Sequence, residues 1–190
     1  MQHVTQTQAA PEAPELDVAE WLNTDNAIQL RDLRGKVVLV EAFQMLCPGC
    51  VSHGLPMAQK ARQIFKPTDL AVLGLHTVFE HHAAQGTREA LAAFLHEYRI
   101  DFPVGIDRQT PGKPIPNTMN AYRMRGTPTT ILIDRQGRLR WQYFGQVEDM
   151  AIGAQIMALM AEGGATPQKM SADRAGSTPA DCDENGCPVG

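Results

Sequence analysis

Two neighbouring segments constrain this chain more than anything else in it: Val37–Phe43, and Cys47-Pro48-Gly49-Cys50 shortly after it. Val37-Val38-Leu39-Val40-Glu41-Ala42-Phe43 is β-branched and almost wholly apolar, the pattern of a central strand buried on both faces. Glu41 is its one discordant residue. The cysteine pair then sits where such a strand ends and a helix opens. A helix N-terminus presents unpaired N–H groups and the positive end of the helix dipole, which favour a thiolate. Pro48 suits a first helical turn, where its missing N–H is not needed. Gly49 adds no bulk beside the sulfur, and Cys50 follows Cys47 closely enough to form a short disulfide and to resolve a mixed one.

The rest of the chain alternates in the manner of a mixed sheet with helices on both faces, an α/β arrangement. Leu16–Leu33 reads as a short extended lead-in, and Arg34-Gly35-Lys36 as a turn into the first buried strand. A helix is expected over Val51–Phe65, with Pro56 placed to kink it, then a second buried strand over Leu70–Leu75. Thr87 can cap a helix running to about Tyr98, with Leu91, Phe94, Leu95 and Tyr98 on one face. A short strand over Phe102–Ile106 and an irregular loop from Arg108 to Asn117, with three prolines, follow. Thr129–Ile133 and Arg138–Phe144 flank Asp134-Arg135-Gln136-Gly137 as a hairpin. The last helix is expected from about Glu148 to Glu162, with Ile152, Ile156, Leu159 and Met160 as its apolar stripe and Gly163-Gly164 as its stop. These boundaries divide the chain into a flexible arm over 1–14, one domain over 15–162, and a disordered tail over 163–190 that carries Cys182 and Cys187.

Composition excludes several classes. The formal charge of −4 over 190 residues, with no basic stripe, gives no reason to expect nucleic acid. No apolar run approaches the roughly 18–20 residues of a membrane span. Met1–Glu15 lacks the basic start and apolar stretch of a secretory signal, so the expected compartment is the cytoplasm, or the periplasm if an export signal has been removed. Four cysteines in two local pairs do not form a long-range disulfide framework, and thiols in a reducing compartment are usually catalytic, sensing or metal-bound.

Phe43-Gln44-Met45-Leu46-Cys47-Pro48-Gly49-Cys50, Arg125-Gly126-Thr127-Pro128-Thr129-Thr130 and Ile133-Asp134-Arg135-Gln136-Gly137 together resemble the thioredoxin superfamily. Within it they are most similar to TlpA-like reductases and the redoxin, AhpC/TSA-related branch that borders on peroxiredoxins, over roughly Leu16 to Glu162. The resemblance implies a thioredoxin-like fold and a thiol–disulfide oxidoreductase that reduces or exchanges disulfides in partner proteins. It implies no cofactor beyond the Cys47–Cys50 couple, and an upstream thiol reductant as electron source. Thr127-Pro128 matches the family's cis-proline, which presents backbone to the partner, and Gly145 a small residue that leaves room beside it. Leu46, Pro48 and Gly49 complete the partner-facing surface. Glu41, six residues before Cys47, stands where thioredoxins carry a buried aspartate, and a buried carboxylate of raised pKa could take the proton from Cys50.

Three departures accompany the match. Leu46 replaces the usual tryptophan before the first cysteine, the Pro-Gly interior inverts the common Gly-Pro, and Pro56 falls one residue later than the family's helix proline, which implies a bulge or shifted helix. Two other functions are compatible with this fold. A peroxiredoxin-like peroxidase fits Arg125 but needs a Thr-x-x-Cys pattern where this chain has Gln44. A non-enzymatic copper chaperone or redox-sensing module would draw on His53, His76, His81 and His82, for which solvated loop positions are the default. Cys182 and Cys187, flanked by Asp181, Asp183 and Glu184, are poor attacking nucleophiles, yet could serve as an auxiliary redox pair near Cys47.

Overall fold

Strand parity decides how the layers form. The computed structural model describes residues 10–162, and in it Val37–Phe43 is strand β2, buried at every position. Successive side chains of a strand point to opposite faces. Val37, Leu39 and Phe43 therefore join one apolar cluster, while Val38, Val40 and Ala42 join the other. Glu41 shares the parity of Leu39 and Phe43, which aims its carboxyl into the first cluster.

Among the described residues the sheet has six strands, β1 (Val18–Leu22), β2, β3 (Leu70–His76), β4 (Val104–Asp107), β5 (Thr129–Ile133) and β6 (Leu139–Phe144), side by side in the order β1-β4-β3-β2-β5-β6. β3 runs parallel to β2, β4 runs parallel to β3, and β5 runs antiparallel on the other side of β2. β6 closes the hairpin with β5, and β1 pairs antiparallel with β4 at the far edge. This is the mixed α/β sheet expected. Two elements differ from expectation. The lead-in after Leu16 is a paired edge strand, and the loop ending at Asn117 runs directly into a short helix, α4 (Asn117–Ala121).

Helices α1 (Leu55–Ile64), α3 (Arg88–Glu97) and α5 (Asp149–Glu162) cover the first face through Leu55, Met57, Ala58, Leu91, Leu95, Ile152, Ile156 and Leu159. The leucine, isoleucine and methionine side chains among them each contribute on the order of 1.5–3 kcal/mol when fully buried. Thr87 caps α3 by accepting from Ala90 N at 3.2 Å. Of the four residues expected on its apolar face, Leu91 and Leu95 are buried, whereas Tyr98 is 49% exposed because it lies past the last turn. Met119, Tyr122 and Met124 cover the second face together with Leu30.

The arm expected over 1–14 is held down over its last residues. Ala13 N donates to Gly137 O at 2.9 Å, Leu139 N to Pro11 O at 2.8 Å, and the Tyr122 hydroxyl to Pro14 O at 2.6 Å. Ala13 itself is buried, so apolar contact and edge pairing together overcome the polar composition of this stretch. Gly163-Gly164 and the second cysteine pair, Cys182 and Cys187, lie outside the described residues. Among those residues, no helix is long and apolar enough to cross a membrane.

Candidate active site

β2 delivers the chain to the end of the sheet, where a turn closes with Cys47 N donating to Gln44 O at 3.2 Å. Helical backbone begins at Pro48, as its position after Cys47 predicts. Cys50–Gly54 then forms a π-helical turn, in which Leu55 N bonds Cys50 O, before α1 continues in regular geometry. A π turn accommodates one extra residue, which accounts for the late placement of Pro56. Pro56, expected to kink the helix, lies at the start of α1 directly after this π turn, so the irregularity of the helix falls just before the proline.

Cys47 and Cys50 form a disulfide, with Cα atoms 5.3 Å apart. Their exposures differ: Cys50 is fully buried, whereas Cys47 is half-buried. Cys50 N donates to Cys47 Sγ at 3.2 Å, a contact that stabilises charge on that sulfur once the pair is reduced. Cys47 Sγ also lies 3.5 Å from Thr127 O. The Thr127–Pro128 peptide is cis. Pro128 packs so closely on the cysteine turn that a Cβ at Gly49 would lie 3.3 Å from its Cδ, and one at Gly54 3.2 Å from its Cβ. Gly145 donates its N–H to Pro128 O at 2.9 Å. A Cβ at Gly145 would meet nothing within 4 Å, so the space beside this position is open. Its φ of +88° is a conformation that glycine adopts without strain. Leu46 (56% exposed) and Pro48 stand on the rim of the turn.

Glu41 lies beneath this surface, with no exposure at all. Its register partner across the β2–β5 ladder is Thr130, whose hydroxyl donates to Oε2 at 2.7 Å. Oε1 has no partner among the described residues. Burial lifts the carboxyl to about 7, and the Thr130 hydroxyl only partly opposes that. The carboxyl rests against Gly54, one turn beyond Cys50, where any Cβ would overlap Oε1.

Sequence reasoning missed a second buried polar group, the side-chain pair Gln44–Gln85. Both are 1% exposed. Gln85 Nε2 donates to Gln44 Oε1 at 3.1 Å and to Glu80 O at 2.9 Å, while its Oε1 accepts from Leu46 N at 3.1 Å. Gln44 Oε1 also accepts from Phe79 N, and its Nε2 reaches Glu80 Oε1 at 3.3 Å and Thr127 Oγ1 at 3.5 Å. Two amides thus tie together the cysteine turn, the segment from Phe79 through α2 (His82–Gln85), and the loop before Pro128. The position of Gln44 was legible as a departure from the threonine of peroxidases. Gln85 left no signal, since its partners at the cysteine turn, Leu46 and Gln44, lie 39 and 41 residues away.

The four histidines are not brought together. His53 is exposed and bonded to Ser52 Oγ, and His81 and His82 are exposed at the start of α2. His76 is buried against the Phe43 ring with Nε2 unpartnered among the described residues, and burial lowers it to about 4. No group of three or more His, Cys, Asp or Glu side chains among the described residues is placed to hold a metal ion. Arg125 lies over the Phe144 ring, 5.0 Å from its centroid.

Residues 9–142 match the AhpC/TSA family. Protein DipZ of Mycobacterium tuberculosis is 31% identical over 144 residues, covering 74% of this chain and 19% of that protein, so the chain spans about a fifth of the DipZ length. The thiol-disulfide oxidoreductase ResA of Bacillus anthracis is 28% identical over 139 residues, 73% of this chain and 71% of that one. Among solved structures, a thiol-disulfide isomerase from Corynebacterium glutamicum superposes with a TM-score of 0.76 at 50% identity, covering 80% of this chain and 97% of that one. A thioredoxin-like superfamily protein does so with a TM-score of 0.77 at 56% identity and the same coverage.

Proposed function

This chain belongs to the AhpC/TSA family, and from that premise we propose that it is a thiol–disulfide oxidoreductase that reduces or exchanges disulfides in partner proteins through Cys47 and Cys50. The observation that carries the reading is the unequal exposure of a bonded pair at a helix start: Cys47 half-open beside Thr127 O, Cys50 closed beneath it. The reduced Cys47 thiolate attacks one sulfur of the partner's disulfide. That S–S bond breaks, a Cys47–partner disulfide forms, and the other partner sulfur leaves as thiolate. Cys50 then loses its proton and attacks the Cys47 sulfur, releasing the second partner thiol. The partner gains two electrons, and the chain retains the Cys47–Cys50 disulfide.

Glu41 is the proton acceptor for Cys50 in this reading. Its placement against Gly54 and its value of about 7 suit a group that must take a proton near neutrality and give it back. No separate cofactor is required. An upstream thiol reductant regenerates the dithiol by the same steps in reverse. Peroxidase chemistry is disfavoured by Gln44, whose amide carries no hydroxyl and is already engaged at both ends.

Cys50→Ser is expected to accumulate covalent mixed disulfides through Cys47 while the wild type reduces insulin. A variant that traps nothing alongside an active wild type would overturn the division of roles. Titration against glutathione with Cys182 and Cys187 changed to Ser then sets direction and compartment. A potential near or below about −250 mV marks a reductase of a reducing compartment, and one near about −120 mV a disulfide donor of an exported protein.

A further inference from the structure

Glu80 is an exposed carboxylate that the fold does not leave free. Its backbone carbonyl accepts from Gln85 Nε2, the N–H of its neighbour Phe79 is held by Gln44 Oε1, and its own Oε1 accepts from Gln44 Nε2. That same Nε2 reaches Thr127 Oγ1, so the Glu80 carboxylate and the Thr127 hydroxyl share one nitrogen. Thr127 is the residue whose carbonyl lies beside Cys47 Sγ. A negative charge is therefore held next to the backbone that flanks the reacting sulfur: Gln44 bonds the carboxylate and Gln85 the backbone carbonyl of the same residue, and both amide side chains are 1% exposed.

Sheet order places the opposing charge. Glu80 follows β3 and Gln44 follows β2, on one side of the loop leading into β5. Phe144 ends β6 on the other side, and Arg125 lies over its ring. A partner segment whose cysteine sits at Cys47 thus meets a carboxylate toward β3 and a guanidinium toward β6. Ordering a flexible surface glutamate costs side-chain entropy. Here the Gln44 bond to the carboxylate, with the backbone of the segment held by Gln44 and Gln85, meets part of that cost before any partner arrives, so a cation that pairs with Glu80 keeps more of its Coulomb energy.

We propose that Glu80, fixed by Gln44 and Gln85 beside Thr127, is a specificity determinant that favours partner disulfides with a basic residue next to the attacked cysteine. The proposal rests on the disulfide-exchange reading above. It concerns which partner is chosen, and it adds no step to the exchange.

The test uses short peptides with one cysteine blocked as the mixed disulfide with 5-thio-2-nitrobenzoate, with Lys or Glu placed before or after that cysteine in turn. Fully reduced protein attacks the peptide sulfur, thionitrobenzoate leaves and is read by absorbance, and Cys50 then releases the peptide thiol. At low ionic strength the wild type is expected to favour Lys over Glu at one flank by about fivefold in kcat/KM. That ratio should fall toward unity in about 0.5 M salt, where screening is strong. Glu80→Gln should erase it, and Glu80→Lys should invert it. Gln85→Ala, which frees the segment while keeping the charge, should give a smaller ratio than the wild type. A wild type without a preference at either flank, or a preference that survives in Glu80→Gln, overturns the assignment while leaving disulfide exchange intact. A wild type that releases no thionitrobenzoate from any of the peptides overturns the exchange reading itself, and this proposal with it.

Discussion

Glu41 and Asp107 are both carboxylates buried in the sheet, one in β2 and one at the end of β4, and their surroundings could hardly be less alike. Asp107 accepts from Thr118 N at 2.8 Å, Met119 N at 2.9 Å and the Thr77 hydroxyl at 2.9 Å. It thereby serves the first turn of α4, whose N-cap position is Pro116 and offers no side-chain acceptor. Burial raises Asp107, against donors that all lower it. Among the described residues Glu41 has a single donor, and its Oε1 has no partner. The fully bonded carboxylate is a joint in the architecture. The one short of partners is raised furthest by burial, and it is the one beside the cysteine turn.

The contrast breaks most visibly if Asp107→Ala fails to unfold the protein more easily. Loss of three donors' partner at a buried site should remove about 3 kcal/mol or more in urea denaturation, while exchange in the folded fraction stays within about threefold of wild type.

The pH dependence of stability sharpens it next. Glu41 is raised to about 7 in the folded state from the ordinary glutamate value of 4.5, so its contribution is present below about 4.5 and is lost as pH rises toward 7. His76 is lowered to about 4 from 6.5, so its contribution is present above about 6.5 and is lost as pH falls toward 4. Each slope is worth at most about 3 kcal/mol, and the two oppose each other across a shared window. Wild-type stability should therefore vary little between these limits on their account. Glu41→Gln should make stability rise with pH, and His76→Leu should make it fall, as urea titrations at stepped pH would reveal. A Glu41→Gln profile that matches the wild type would mean that the carboxyl is not perturbed.

Glu41→Gln should also slow resolution of the mixed disulfide by about ten- to hundredfold and remove an inflection near pH 7 from the single-turnover rate. The smallest expected effect lies in packing. Gly54→Ala puts a methyl group onto Oε1 and should destabilise the fold, and Glu41→Ala in the same chain should recover about 1–2 kcal/mol of that loss. Strictly additive losses would show that the carboxyl and the helix do not meet.

Much of this site was legible before any fold was known. The apolar run from Val37, the cysteine pair at its end, and the discordant Glu41 are local features, and parity alone aims Glu41 with Leu39 and Phe43 toward one layer. Pro56, one position late, announced an irregular turn that proves to be π-helical. The family resemblance pointed to Pro128 and Gly145, while the positive φ of Gly145 became visible only in the fold. Gln85 and the pinning of Glu80 were not legible, because their partners are brought together only when β2, β3 and β5 lie side by side. The docking of Pro11–Pro14 escaped notice for the same reason.

What the sequence determined by itself rests on short-range chemistry: periodicity chooses strand or helix, and the position of Cys47 between a buried strand and a helix start is set by residues adjacent in the chain. What only the tertiary structure decided is which polar groups are left satisfied. Among the described residues Asp107 finds three donors, whereas Glu41 finds Thr130 across the β2–β5 ladder and packs against Gly54. Burial and hydrogen-bond supply are properties of neighbours distant in the chain, and they separate a carboxylate with its donors in place from one left short of them.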